Sequence, residues 1–177
     1  MSGPGPWQLY AKAKFYIGRG DITLGAGIFK MSLHRASASA AIMRLSTRST
    51  FASIPGEISA RGGYVAGGRN LVPASGQWVV GASARQYKFT HSTIVFMASG
   101  SALNNIKYAL IRTSTGPGVG KVLCFCTLST APFTISPETF LTVTPATNGV
   151  FTLQDAPPQI KPGTGVLILT GGHGLGP

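Results

Sequence analysis

This sequence predicts an all-β chain, a β-sandwich or jelly-roll-like barrel with long loops and an extended N-terminal arm. Three observations predict it. β-branched and aromatic residues recur in short runs, several of which alternate with polar residues at the period of a strand. Gly and Pro, 24 and 12 of 177 residues, punctuate those runs as turns do. Charged residues make up only 11%, against about 25% in an ordinary soluble domain. The Glu-, Lys- and Arg-rich surface of a helical protein is therefore missing.

Taken in order, residues 1–6 read as a flexible arm, 7–170 as a single β-rich domain and 171–177 as a loose tail. Trp7 to Ile17 alternates in part, with Leu9, Ala11, Ala13, Phe15 and Ile17 on one parity, and reads as a strand. Gly18 to Asp21 turns, Ile22 to Leu24 resumes the strand, and Gly25 to Gly27 breaks it. Ile28 to Leu33 is a strand with a core face; any helix belongs near Ser37 to Arg44, with Ala41 to Leu45 as a short candidate. Pro55-Gly56 is a turn, and Gly62, Gly63, Gly67 and Gly68 mark a loop whose backbone approaches a neighbouring strand or subunit. Gln77 to Val80 and Ala84 to Phe89 alternate, whereas Ser92 to Ala98 is apolar enough for a strand buried on both faces. Asn104-Asn105 is a turn, followed by strands at Ile106 to Arg112 and Val122 to Leu128. Phe133 to Ile135, Phe140 to Thr144, Val150 to Leu153 and Val166 to Leu169 complete the set, with Asn148-Gly149 as a hairpin-type turn.

Little in the chain points to catalysis. The acids are Asp21, Glu57, Glu138 and Asp155, too few for paired-carboxylate chemistry. His34, His91 and His173 lie far apart and at no metal-ligand spacing, so no metal and no cofactor is expected. Gly116 to Lys121 resembles a phosphate loop only superficially, because Thr115 stands at the first glycine position and Val122 follows the lysine. Arg19-Gly20-Asp21 spells an adhesion tripeptide, but it falls where the chain turns. Cys124 and Cys126 share one face of a strand, poorly placed for a relaxed disulfide, and are expected as buried free thiols. No secretory leader is recognised at Met1 to Pro6, and no apolar run approaches the ~20 residues of a membrane helix.

Charge is the stronger signal. The net charge is +11, and it is lopsided. Met1 to Lys121 holds 14 basic and 2 acidic residues, whereas the rest holds only Lys161 against Glu138 and Asp155. Such a field attracts an acidic protein surface, nucleic acid or an anionic membrane. The cations are dispersed and form no basic tail, which favours a protein partner. Arg61, Arg69, Arg85 and Lys88 flank the turn-rich middle and are the expected docking residues. The near-neutral segment after Lys121 is expected to serve the core and contacts between copies.

Several segments, taken together, add a resemblance. They are Tyr10 with Phe15, Gly20 to Leu24, Phe29 to Leu33, Thr50 to Ile54, Glu57-Ile58, Gly63 to Gly68 with Leu71, Tyr108 to Ile111, and Gly149 to Leu153. In order and spacing, from Trp7 to Leu153, the chain resembles small virion structural proteins of tailed bacteriophages, found in capsid-decorating, neck and tail positions. The resemblance implies a β-rich subunit present in many copies, with no catalytic residues to carry over. It also implies a virion location after assembly in the host cytoplasm. The expectation is a non-enzymatic structural component that docks on acidic capsid, neck or tail proteins and on copies of itself, with capsid decoration ahead of neck or tail. The competing expectation is a nucleic-acid-binding β-barrel driven by the positive charge.

Overall fold

In a computed structural model, residues 5–39, 41, 48–83, 85–116 and 118–154 are described. The fold is all-β. Its eleven described strands are β1 (Gln8–Leu9), β2 (Phe29–Arg35), β3 (Arg69–Asn70), β4 (Gln77–Val80), β5 (Gln86–Thr90), β6 (Ile94–Met97), β7 (Leu103–Thr113), β8 (Val122–Thr127), β9 (Phe133–Ile135), β10 (Phe140–Val143) and β11 (Phe151–Gln154). The six-residue helix α1 spans Ala13–Gly18, and 3-10 turns form at Ala36–Ala38 and Phe51–Ser53.

The strands form three antiparallel sheets. The largest has the order β1-β8-β7-β2-β3, with β9 also on β7. Its axis is the eleven-residue β7, which pairs β2 from Phe29↔Thr113 to Arg35↔Ile106 and β8 from Tyr108↔Thr127 to Arg112↔Val122. Ala109, Leu110 and Ile111 are buried in succession, as are Leu123, Cys124 and Phe125. Consecutive burial means that both faces of the sheet are covered at β7 and β8, and β8 reads as a continuous apolar run for that reason.

The other sheets attach through aromatic side chains. In the sheet β11-β5-β4, Phe89 meets Phe29 of β2 edge-on, 5.1 Å between centroids, and stacks on Phe151 at 5.5 Å. The β6–β10 pair turns Phe96 inward, 6.1 Å from the ring of Tyr64. Each buried phenylalanine contributes about 1.5–3 kcal/mol, and a ring pair adds about 0.5–1.5 kcal/mol.

Several expectations are corrected. Trp7 to Ile17 is not one strand: pairing stops after Leu9, and Ala13–Gly18 is helical. Tyr10, Ala13 and Tyr16 are the buried positions, spaced three apart, so the helical period wins over the partial alternation. Ile22 to Leu24 stays irregular, although Ile22 is buried. β6 is not buried on both faces, because it pairs only β10 and leaves Val95 and Met97 exposed beside Phe140. Asn104-Asn105 does not separate strands. It lies inside β7 as an irregularity in the β9 pairing, with Asn105 at φ 62°. Asn148-Gly149 is a tight turn bridged Ala146↔Gly149 but not a hairpin, since β10 pairs β6 and β11 pairs β5. Around the expected helix, Ala36–Ala38 is a 3-10 turn; residues 40 and 42–47 lie outside the described residues. The expected strand at 166–169 and the tail at 171–177 lie outside them too.

Candidate docking surface and its polar support

The loop between the turn at Phe51–Ser53 and β3 is fastened to β2. Arg35 N donates to Gly56 O (2.7 Å), Ile58 N donates to Leu33 O (3.1 Å), and His34 and Glu57 form an antiparallel bridge. Glu57 then becomes an internal acceptor: its Oε1 takes Tyr64 Oη at 2.7 Å and Gly67 N at 2.6 Å. Tyr64 Oη also accepts from Leu33 N at 3.2 Å. Arg112 Nη2 donates to Gly67 O at 3.0 Å, and its guanidinium lies 4.2 Å over the Phe51 ring. Burial pushes the Tyr64 phenol well up, reinforced by the Glu57 acceptor. Burial lowers Arg112, opposed by Glu57. These groups form a load of fixed hydrogen bonds that sets the loop on the sheet, and the loop's glycines explain its closeness. A Cβ on Gly62 would stand 2.2 Å from Ser101 O, and one on Gly68 would stand 2.0 Å from Met31 O. Gly63 lies against β6 near Met97 O, and Gly67 lies beside Arg112.

Ser32 Oγ and His34 Nε2 are 3.1 Å apart, the separation of a nucleophile and its base. Both are fully buried. His34 Nδ1 faces Pro55 O at 3.1 Å. Since a carbonyl only accepts, Nδ1 carries the proton, and Nε2 accepts from Ser32. Burial lowers the His34 pKa, opposed by the Pro55 bond and Glu57, and burial likewise lowers His91. Cys124 and Cys126 are buried and unpaired. Burial raises both thiols, Cys126 to about 12. Among the described residues no group of three or more His, Cys, Asp or Glu converges on a metal position, and no helix is long and apolar enough to cross a membrane.

The four expected docking residues divide into two pairs. Arg61 lies on the glycine-rich loop and Arg69 in β3. Arg61 is exposed next to the Gly62-Gly63 turn, and Arg69 Nη1 donates to Val95 O. Arg85 and Lys88 lie on the β11-β5-β4 sheet; Arg85 is exposed just before β5, and Lys88 Nζ donates to Thr147 O at 3.0 Å. Carboxylates do little to neutralise this surface. Arg19–Asp21 at 3.7 Å is the one ion pair found among the described residues. Glu57 is engaged internally, and Glu138 accepts from Gly100 N at 2.9 Å.

Sequence reasoning missed two surfaces. Val80, Tyr87 and Leu153 occupy one row of the β4-β5-β11 register and are 58%, 46% and 37% exposed. Trp78 stacks on Tyr87 at 5.9 Å, extending the same apolar face. The other surface, on the side of the β6–β10 pair opposite the buried Ile94 and Phe96, carries Val95, Met97 and Phe140. The strands themselves were legible, but alternation cannot say whether the apolar parity meets another layer or solvent.

Fold and surface together define an all-β chain with few carboxylates to offset its cations among the described residues, an exposed end on the core-facing apolar side of the β11-β5-β4 sheet, and an outward apolar face on the β6–β10 pair. No family model matches the chain, and comparison with curated proteins and with solved structures finds no match.

Proposed function

We propose that this chain is a non-enzymatic structural subunit of a tailed-phage virion, serving as capsid cement or decoration in preference to a neck or tail accessory. Its basic surface docks on acidic capsid, neck or tail proteins, and its apolar sheet faces meet copies of itself. The observation that carries this reading is the exposed Val80–Tyr87–Leu153 row beside largely unneutralised cations. Contiguous apolar surface is covered in the working state of most proteins that carry it. Complementary charge orients and speeds docking more than it sets final affinity. The sequence resemblance supplies the kind of particle.

Charge reversal tests it. The quadruple variant R61E, R69E, R85E and K88E is expected to keep its β-type circular dichroism and to lose incorporation into particles. Lys161→Glu is expected to incorporate normally. Normal incorporation of the quadruple variant overturns the reading. Nucleic-acid binding by the native chain with a steep loss on added salt, and no incorporation, assigns the charge to a nucleic-acid-binding barrel instead.

A further inference from the structure

The pairing of β2 with β7 shifts register between His34 and Arg35, and the pairing of β7 with β9 shifts between Leu103 and Ile106. Irregularities of this kind re-aim side chains at a sheet's rim. Where these two meet, a cleft of about 190 Å³ opens, with Arg35 and Arg61 as its cations and Ser59, Asn104 and Asn105 as its other polar residues. Ile58 and Leu103 supply its apolar lining, and among the described residues no carboxylate lines it. Every described polar side chain around the cleft can therefore donate a hydrogen bond. Arg35 Nη2 is tied to Ser59 Oγ at 3.1 Å, which fixes one guanidinium, and its buried Nε has no hydrogen-bond partner among the described residues. Arg61 is exposed and has no ion-pair partner among the described residues. The acid closest in sequence, Glu57, is already held by Tyr64 and Gly67.

We propose that this cleft binds the carboxylate side chain of an acidic protein segment. Two planar guanidinium forks suit a planar carboxylate. The Ile58 and Leu103 lining suits the methylene stem that a Glu or Asp carries and that a free phosphate lacks. That the occupant belongs to a protein rests on the docking reading above; the oxyanion chemistry of the cleft does not.

The test uses the full chain and two probes at constant ionic strength: a blocked Ala-Glu-Glu-Ala peptide and inorganic phosphate. Nuclear magnetic resonance is expected to show saturable shifts of the Arg35 Nε–H and of the Asn104 and Asn105 amides with the peptide. Arg61→Ala is expected to weaken peptide binding about tenfold or more, the scale of a charge-assisted hydrogen bond. Arg35→Lys, which keeps the charge and loses the fork, is expected to weaken it as well. Lys14→Ala removes one exposed charge elsewhere and is expected to change nothing. Non-saturable shifts, or equal loss in Lys14→Ala, overturn the site in favour of diffuse attraction. Saturation by phosphate and not by peptide overturns the carboxylate assignment. If Arg61→Ala loses the peptide yet still incorporates into particles, the cleft stands as a carboxylate site and its part in docking falls.

Discussion

Gly68→Ala measures how closely the middle loop is seated on the main sheet. Gly68 has φ 80°, and a Cβ there would lie 2.0 Å from Met31 O and 2.6 Å from Met31 C. Both atoms belong to the backbone of β2, so no side chain can swing away. Relief requires the loop to lift by about 1 Å, which breaks the short pairing Lys30↔Asn70 and Met31↔Arg69. The positive φ costs about 1–2 kcal/mol for alanine, and two ladder hydrogen bonds add about 1 kcal/mol each. The expected loss is therefore about 3–4 kcal/mol, a large share of the roughly 5–15 kcal/mol that holds a domain together. Gly100→Ala is the matched control. Its φ is 70°, but nothing lies within 4 Å of its added Cβ. It carries the conformational cost alone, about 1–2 kcal/mol. Urea denaturation of both variants, read by tryptophan fluorescence, gives the two losses. Equal losses refute the close approach, and the loop is then free to move away from β2.

Two further outcomes follow from the buried polar groups. His34 and His91 have native pKa values below the ordinary 6.5, so the unfolded chain binds more protons as pH falls. Stability is then fully present above about pH 6.5 and lost as pH falls towards the lowered values, with a slope of up to about 1.4 kcal/mol per pH unit for each histidine. Thermal melts from pH 8 to pH 5 check this, and His34→Gln is expected to flatten part of the slope. Cys124 and Cys126 are expected to react with an aromatic disulfide reagent only at the rate of unfolding at pH 8, since Cys126 titrates at about 12 and neither thiol forms a disulfide. Rapid modification of the folded chain contradicts that.

Much of the fold was readable because β8 is a continuous apolar run and β2 and β7 carry apolar residues at the period of a strand, Phe29, Met31 and Leu33 in one and Ile106, Tyr108 and Leu110 in the other. What failed did so for identifiable reasons. Ala11 and Ala13 share the parity of Leu9, Phe15 and Ile17 and completed a false strand pattern, although alanine favours a helix; the burial of Tyr10, Ala13 and Tyr16, spaced three apart, decides for the helix. The dipeptide Asn148-Gly149 specifies a turn but not the partner of the strand that follows; that choice is made by Phe151 stacking on Phe89. Arg61 was singled out because it flanks the turn-rich middle, whereas Arg35 fell between the strand expected at Ile28 to Leu33 and the helix expected near Ser37 and carried no signal of its own. Its role arises from a register shift that no local pattern encodes.

Each carboxylate among the described residues already has a partner within its own chain: Asp21 with Arg19, Glu57 with Tyr64 and Gly67, Glu138 with Gly100. A second copy of the chain therefore meets the first cation to cation, at a net charge of +11 each. Added salt shortens the reach of that repulsion to about 10 Å at 0.1 M and so promotes contact between the apolar faces. The same salt weakens attraction to an acidic surface. Under the proposed docking, ionic strength thus pushes self-association and docking in opposite directions, and neutralisation by an acidic partner does locally what salt does everywhere. Copies should gather on that partner at ionic strengths where they stay apart in free solution.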